Sequence, residues 1–222
     1  MRPLIIPRGA ARAFRCAVAL GVLAFPVIAR GQRASVEGTF TARDPRVTGV
    51  VVYLTPLPAV SGPVAPITTS IDQRGLQFLP RTIAVTPGSI VSFPNSDPLL
   101  HNIFLVDLQR ARIDLGTYPG GELRQVTLGV SGAYLVLCHL HPEMAASVVV
   151  VDSPYRAVTD GAGRFRIDSI EPGAYRLSTW HRLLLQHEET VTLVPGGTVK
   201  VQALLPGGTP IPPHHGGTTE KR

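Results

Sequence analysis

Beyond residue 31 the sequence contains a single cysteine, Cys138; the chain's other cysteine, Cys16, lies in an apolar amino-terminal run. A disulfide within the chain that follows that run is therefore excluded, and a lone thiol there is explained either by burial as a small apolar side chain or by metal ligation. Charged residues are scarce, at 16%, while there are 22 glycines and 21 prolines. That balance speaks for a turn-rich, β-rich chain. No segment keeps a helical period through a capped stretch of useful length.

Acidic residues are absent from the first 31 positions, where Arg2, Arg8, Arg12, Arg15 and Arg30 account for five of the six net positive charges. The rest is close to neutral, so the basic balance gives no case for a nucleic-acid partner. An arginine-rich start, an apolar run from Cys16 to Ala29 and small residues at Ala29 and Gly31 read as an export signal over 1–31, cleaved near Gly31 and Gln32. The apolar run is shorter than the about 20 residues of a spanning helix. An uncleaved anchor is the alternative. The expected location is periplasmic or secreted, with no membrane association after cleavage.

Five Pro-Gly pairs, Pro87-Gly88, Pro119-Gly120, Pro172-Gly173, Pro195-Gly196 and Pro206-Gly207, predict turns with proline at the first central position and glycine at the second. Between them lie β-branched and aromatic runs such as VTGVVVYL from Val47, SIVSF from Ser89, HNIFLV from His101, AYLVLC from Ala133, SVVVV from Ser147 and AYRLSTW from Ala174. An all-β fold follows, with any helix confined to a short turn after Val106. The run SVVVV suits a strand buried on both faces. The stretch from Pro206 to Arg222 has too few apolar residues to pack and is expected to be a disordered tail.

The chemistry concentrates in CHLHPEM, Cys138 to Met144, and in His101 within FPNSDPLLHNIF. One thiol, two imidazoles and a thioether are the ligand set of a mononuclear blue-copper centre, with Cys138, His101 and His141 in the plane and Met144 as the weak axial donor. Taken alone, His101 reads as an ordinary strand histidine and Met144 as core packing. Their order and joint spacing favour one metal site. His139 follows Cys138 directly, so on an extended backbone it points to the opposite side. His181, His187, His214 and His215 are too scattered for a second metal set, and Glu143 is expected to face solvent.

QFLPRTIAVTPGSIVSFPNSDPLLHNIF and GAYLVLCHLHPEM together resemble the cupredoxin family, the blue-copper group that includes plastocyanin and amicyanin. The resemblance covers about a third of the chain and implies a Greek-key cupredoxin sandwich over 67–152, one type 1 copper, and electron exchange with a redox partner protein. It also implies that Asn95, with Asn102 as the competitor, ties the His101 strand to the cysteine loop, and that Pro142 stiffens that loop. Leu99, Leu100, Leu140, Pro142 and Ala145 are expected to form an apolar collar around an exposed edge of His141, where family members meet their electron partners.

VTDGAGRFRIDSIEPGAYRLSTWH, from Val158, resembles the carboxypeptidase regulatory-like domain, a small transthyretin-like β-sandwich, whose opening strands look like VEGTF at Val36 and VVVYL at Val50. Two layouts follow. In one, 35–58 and 153–205 form a single sandwich interrupted by the copper region; in the other, the early strands join the cupredoxin sheet. Trp180 reads as a core anchor or an interface aromatic. The combined pattern also resembles exported proteins labelled methylamine utilisation protein. No catalytic set and no small-molecule substrate are evident, so the expected function is electron transfer without enzymatic activity. Copper delivery, or an exported interaction module with a vestigial metal site, are the alternatives.

Overall fold

A computed structural model describes residues 31–59 and 62–208. The expectations for an export signal over 1–31 and for the tail beyond 208 lie, but for Gly31 itself, outside the described residues. Pro206 to Gly208 are held, with the Pro206 carbonyl accepting from the Leu185 amide and the Gly208 amide donating to Leu183.

The described chain is all β, and the turn after Val106 is a hairpin rather than a helix. Strands β1 (Ala34–Ala42) and β2 (Val51–Leu57) come first. Ten strands follow: β3 (Thr68–Ser70), β4 (Asp72–Gln73), β5 (Phe78–Leu79), β6 (Thr82–Val85), β7 (Ser89–Pro94), β8 (His101–Asp107), β9 (Arg112–Tyr118), β10 (Leu123–Leu128), β11 (Gly132–Leu137) and β12 (Ala145–Val150). The last five are β13 (Arg156–Val158), β14 (Arg164–Ile170), β15 (Gly173–Trp180), β16 (Glu188–Leu193) and β17 (Thr198–Leu205).

Pairing separates these strands into two sandwiches. A five-stranded sheet β6-β12-β11-β8-β9 faces β10-β7-β3, and their inward residues, among them Phe93, Ile103, Leu105, Val136 and Val148, form one core. The sheets β14-β1-β17 and β13-β2-β15-β16 enclose a second core around Val36, Leu54, Ile170 and Leu177. β1 runs parallel to β17, and β2 pairs with β13 and β15, so the chain leaves the second sandwich after β2 and returns to it at β13.

β12 shows why the valine run after Ser147 lacks polar alternation. Ala146, Val148 and Val150 face the first core, while Val149 and the following Val151 pack with Val51, Tyr53, Ala133 and Trp180 in a third cluster between the sandwiches. Alternate residues of a strand point to opposite faces, so a strand covered on both sides loses its polar alternation. Arg156 adds a polar link, its Nε donating to the Ala84 carbonyl at 3.1 Å.

Two of the Pro-Gly pairs form the expected turns. Ser89 N donates to Thr86 O and Gly197 N to Val194 O, with Gly88 and Gly196 at φ of 81° and 70°. Pro119-Gly120 differs. The Glu122 amide donates to Pro119 O, so proline begins that turn and the positive φ, 84°, falls on Gly121. Gly120 is needed for closeness instead, because a Cβ there would lie 2.1 Å from the Asp97 carbonyl oxygen.

Candidate metal centre

β8 and β11 are antiparallel neighbours, with Leu137 opposite Phe104, so the first residue of β8 and the residue after β11 meet at one end of the sheet. His101 lies on the same inward face as Ile103 and Leu105, and Cys138 continues the inward set of Tyr134 and Val136. The chain then turns through 139–143, where the Met144 amide donates to the His141 carbonyl at 3.0 Å and leads into β12.

This local geometry brings three donors together. His101 Nδ1 and His141 Nδ1 are 3.1 Å apart, and Cys138 Sγ lies 4.0 Å from the first and 3.8 Å from the second. A point equidistant from the corners of that triangle is about 2.1 Å from each, which matches the about 2.0–2.3 Å of nitrogen and thiolate bonds to a divalent metal such as zinc. The donor set therefore fits a metal ion without rearrangement. His101 is 0% exposed, Cys138 4% and Met144 1%, while His141 is half-buried. Met144 is buried in the same core cluster as Cys138.

Asp97 orients the set, and sequence reasoning missed it. Its Oδ2 lies 3.0 Å from His101 Nε2. A carboxylate only accepts, so the imidazole proton sits on Nε2 and the Nδ1 lone pair faces Cys138 and His141. The carboxylate also accepts from the amides of Gly75, at 2.6 Å, and Leu76, at 3.0 Å. Burial acts to raise the Asp97 carboxyl, but the Leu76 and Gly75 amides and the His101 ring outweigh it and hold the group below the ordinary carboxylate value. Gly75 and Leu76, at φ of 62° and 58°, form the tip of the β4–β5 hairpin. Positive φ costs a residue with a Cβ about 1–2 kcal/mol, so the same carboxylate that holds His101 also holds a strained tip. An acid four residues before a candidate histidine ligand was the available signal.

The asparagines correct the expectation. Asn95 is buried, but its Nδ2 donates to the carbonyls of Leu99 (2.9 Å) and Tyr118 (3.3 Å), and its Oδ1 accepts from the Asp97 amide. It shapes the His101 loop from within and makes no bond to the cysteine loop, because Asn side chains readily close a turn on their own following residues. Asn102 faces away, donating to Asp114 Oδ1 at 3.2 Å. Pro142 is exposed on the ligand loop.

Around the rim, Leu99, Leu100 and Leu140 are 47%, 55% and 49% exposed. Ala145 opens β12 and lines a separate cleft with Arg81 and Arg182. His139 lies on the outer face, stacked on Phe104 with centroids 4.1 Å apart and with its Nε2 against Arg112 Nη2; the Arg112 guanidinium sits 4.3 Å over the Phe104 ring. It takes no part in the donor triangle.

The chain is similar to solved cupredoxins. Amicyanin from Paracoccus versutus is 17% identical over 39% of this chain and 92% of its own, with a TM-score of 0.35. A purple cupredoxin from Nitrosopumilus maritimus is 20% identical over 37% and 99%, also at 0.35. A copper-containing nitrite reductase from Thermus scotoductus is 22% identical over 41% of this chain and 24% of its own, at 0.36. No protein-family model and no curated sequence matches. Scores this low carry no functional weight, so the case for a metal centre stands on the donor triangle and its Asp97 support.

Proposed function

We propose that the chain is an exported carrier of single electrons, built on a cupredoxin-like sandwich, with one type 1 copper held by His101, Cys138, His141 and Met144, and that it is not an enzyme. The observation that carries this reading is the preformed triangle of two imidazole nitrogens and one sulfur whose centre lies at metal-bonding distance. Copper bound there supplies a Cu(II)/Cu(I) couple, for which a His₂Cys plane with a weak thioether is the fitting donor set.

The residues divide the work. Cys138 offers a thiolate in a nearly dry site, since coordination deprotonates a thiol. Asp97 keeps the His101 proton away from the metal side, and the buried strands β8 and β11 hold His101 and Cys138 in place, so the donors move little when charge changes. His141 is the least buried of the three, and the exposed leucines beside it in the loops, Leu99, Leu100 and Leu140, offer an apolar surface to a redox partner protein. Enclosure of Cys138 and His101 favours a resident ion over one handed on, which sets electron carriage ahead of copper delivery. The second sandwich, which we read as transthyretin-like and interrupted by the copper-bearing one, acts as its carrier.

Cyclic voltammetry of the copper-loaded full chain tests the proposal, alongside metal analysis of the protein as isolated. A reversible one-electron wave with fast self-exchange is expected. An irreversible wave, or slow exchange despite bound copper, rules out electron carriage.

A further inference from the structure

A narrow cleft of about 40 Å³ opens where the two sandwiches meet, remote in role from the donor triangle. Arg81, Thr82 and Ser147 line it from the first sandwich, and Thr48, His181 and Arg182 from the second. Arg46, at its edge, is engaged: its guanidinium grips Asp44, with Nη2 2.6 Å from Oδ2 and Nε 3.0 Å from Oδ1. The other two arginines are not neutralised in this way. Arg81 reaches only the Gln77 amide oxygen, at 3.0 Å, and among the described residues neither Arg81 nor Arg182 has an ion-pair partner. His181 adds no charge at neutral pH, since burial and the Arg182 charge push it down to about 4. Its Nδ1 is occupied by the Leu183 amide at 3.2 Å.

Arg81 and Arg182, contributed by separate sandwiches, both line this one small polar cleft, and two positive charges on one cleft attract an anion. Ser147, which is buried, and Thr48 and Thr82 also line the cleft, so it offers neutral hydroxyl donors as well. Planar guanidinium forks with hydroxyls beside them are suited to the oxygens of a compact oxyanion. We infer that this cleft binds a small inorganic oxyanion of the phosphate or sulfate class, gripped by Arg81 from one sandwich and Arg182 from the other, and that the bound anion fastens the seam between them.

Calorimetric titration of the full chain with inorganic phosphate and with sulfate, at ionic strength held constant with chloride, is the test. Saturable binding is expected, weakened about tenfold or more in Arg81→Ala and in Arg182→Ala, because each loses a charge-assisted bond. Arg182→Lys recovers part of the loss, and phosphate raises the thermal midpoint of the wild type but not of the double variant. Both arginines are exposed, so their removal leaves the folded core intact. Cys138→Ser is expected to bind phosphate as the wild type does. Heats no different from chloride, equal affinity in the double arginine variant, or loss of binding in Cys138→Ser would each overturn the assignment.

Discussion

Replacing Asp97 with Asn asks whether one carboxylate sets the binding state of His101. Asp97 receives three donors, Gly75 N on Oδ1 and both Leu76 N and His101 Nε2 on Oδ2. An Asn side chain has one acceptor oxygen, and its NH₂ must face the remaining N–H groups whichever way it turns. If the NH₂ faces Gly75, that amide is left unpaired. If it faces His101, the imidazole restores a bond only by moving its proton to Nδ1, the atom aimed at Cys138 and His141. Loss of such a supporting partner costs about 10–100-fold in metal affinity. A buried amide left unpaired costs a further about 1–3 kcal/mol of stability. Chelator competition with copper and with zinc measures the first quantity, and urea unfolding of the metal-free protein the second. Affinity within about twofold of the wild type for both metals would refute the role given to Asp97.

Trp180→Ala removes the largest side chain of the seam cluster and is expected to cost about 3–5 kcal/mol in urea unfolding. Trp180→Phe keeps an aromatic ring of smaller size and deletes an indole N–H that has no partner among the described residues, so its expected cost is about 1–3 kcal/mol, below that of the alanine variant. Equal losses in the two variants would contradict a packing role. Gly120→Ala drives a methyl into the Asp97 carbonyl and is expected to lower stability by about 1–3 kcal/mol and weaken metal binding, seen by thermal melting and metal titration. His181 has a folded value of about 4, below its unfolded 6.5, so its contribution is fully present above 6.5 and is lost as pH falls toward 4. Unfolding free energy is therefore expected to drop by about 1–2 kcal/mol between pH 7 and pH 5 through this group, a slope that His181→Asn removes.

The three donors that meet were legible because Cys138 and His141 are near in sequence and because metal ligation restricts residue type. Strand runs such as HNIFLV and AYLVLC were equally plain, since their inward positions carry the core. β9 was not. Its sequence RIDLGTY holds Asp114 and a glycine at φ 78°, and a bulge opposite Ile103 and Phe104 breaks the alternation that signals a strand. Asp97 carried only its spacing of four residues before His101 as a signal, because its role depends on a hairpin tip more than 20 residues upstream being folded against it. Asn95 was singled out as a structural tie but given the cysteine loop as its partner, since a resemblance can name a residue while its hydrogen-bond direction requires the loop. Trp180 left core and interface equally open, and the seam decided between them.

The central claim, a copper ion that would be held by Cys138 together with His101 and His141, is tested most directly by the visible spectrum of the Cu(II)-loaded chain. An intense thiolate-to-copper band that disappears in Cys138→Ser is the expected result. Bound Cu(II) with no such band, or a band that survives the loss of Cys138, contradicts the account.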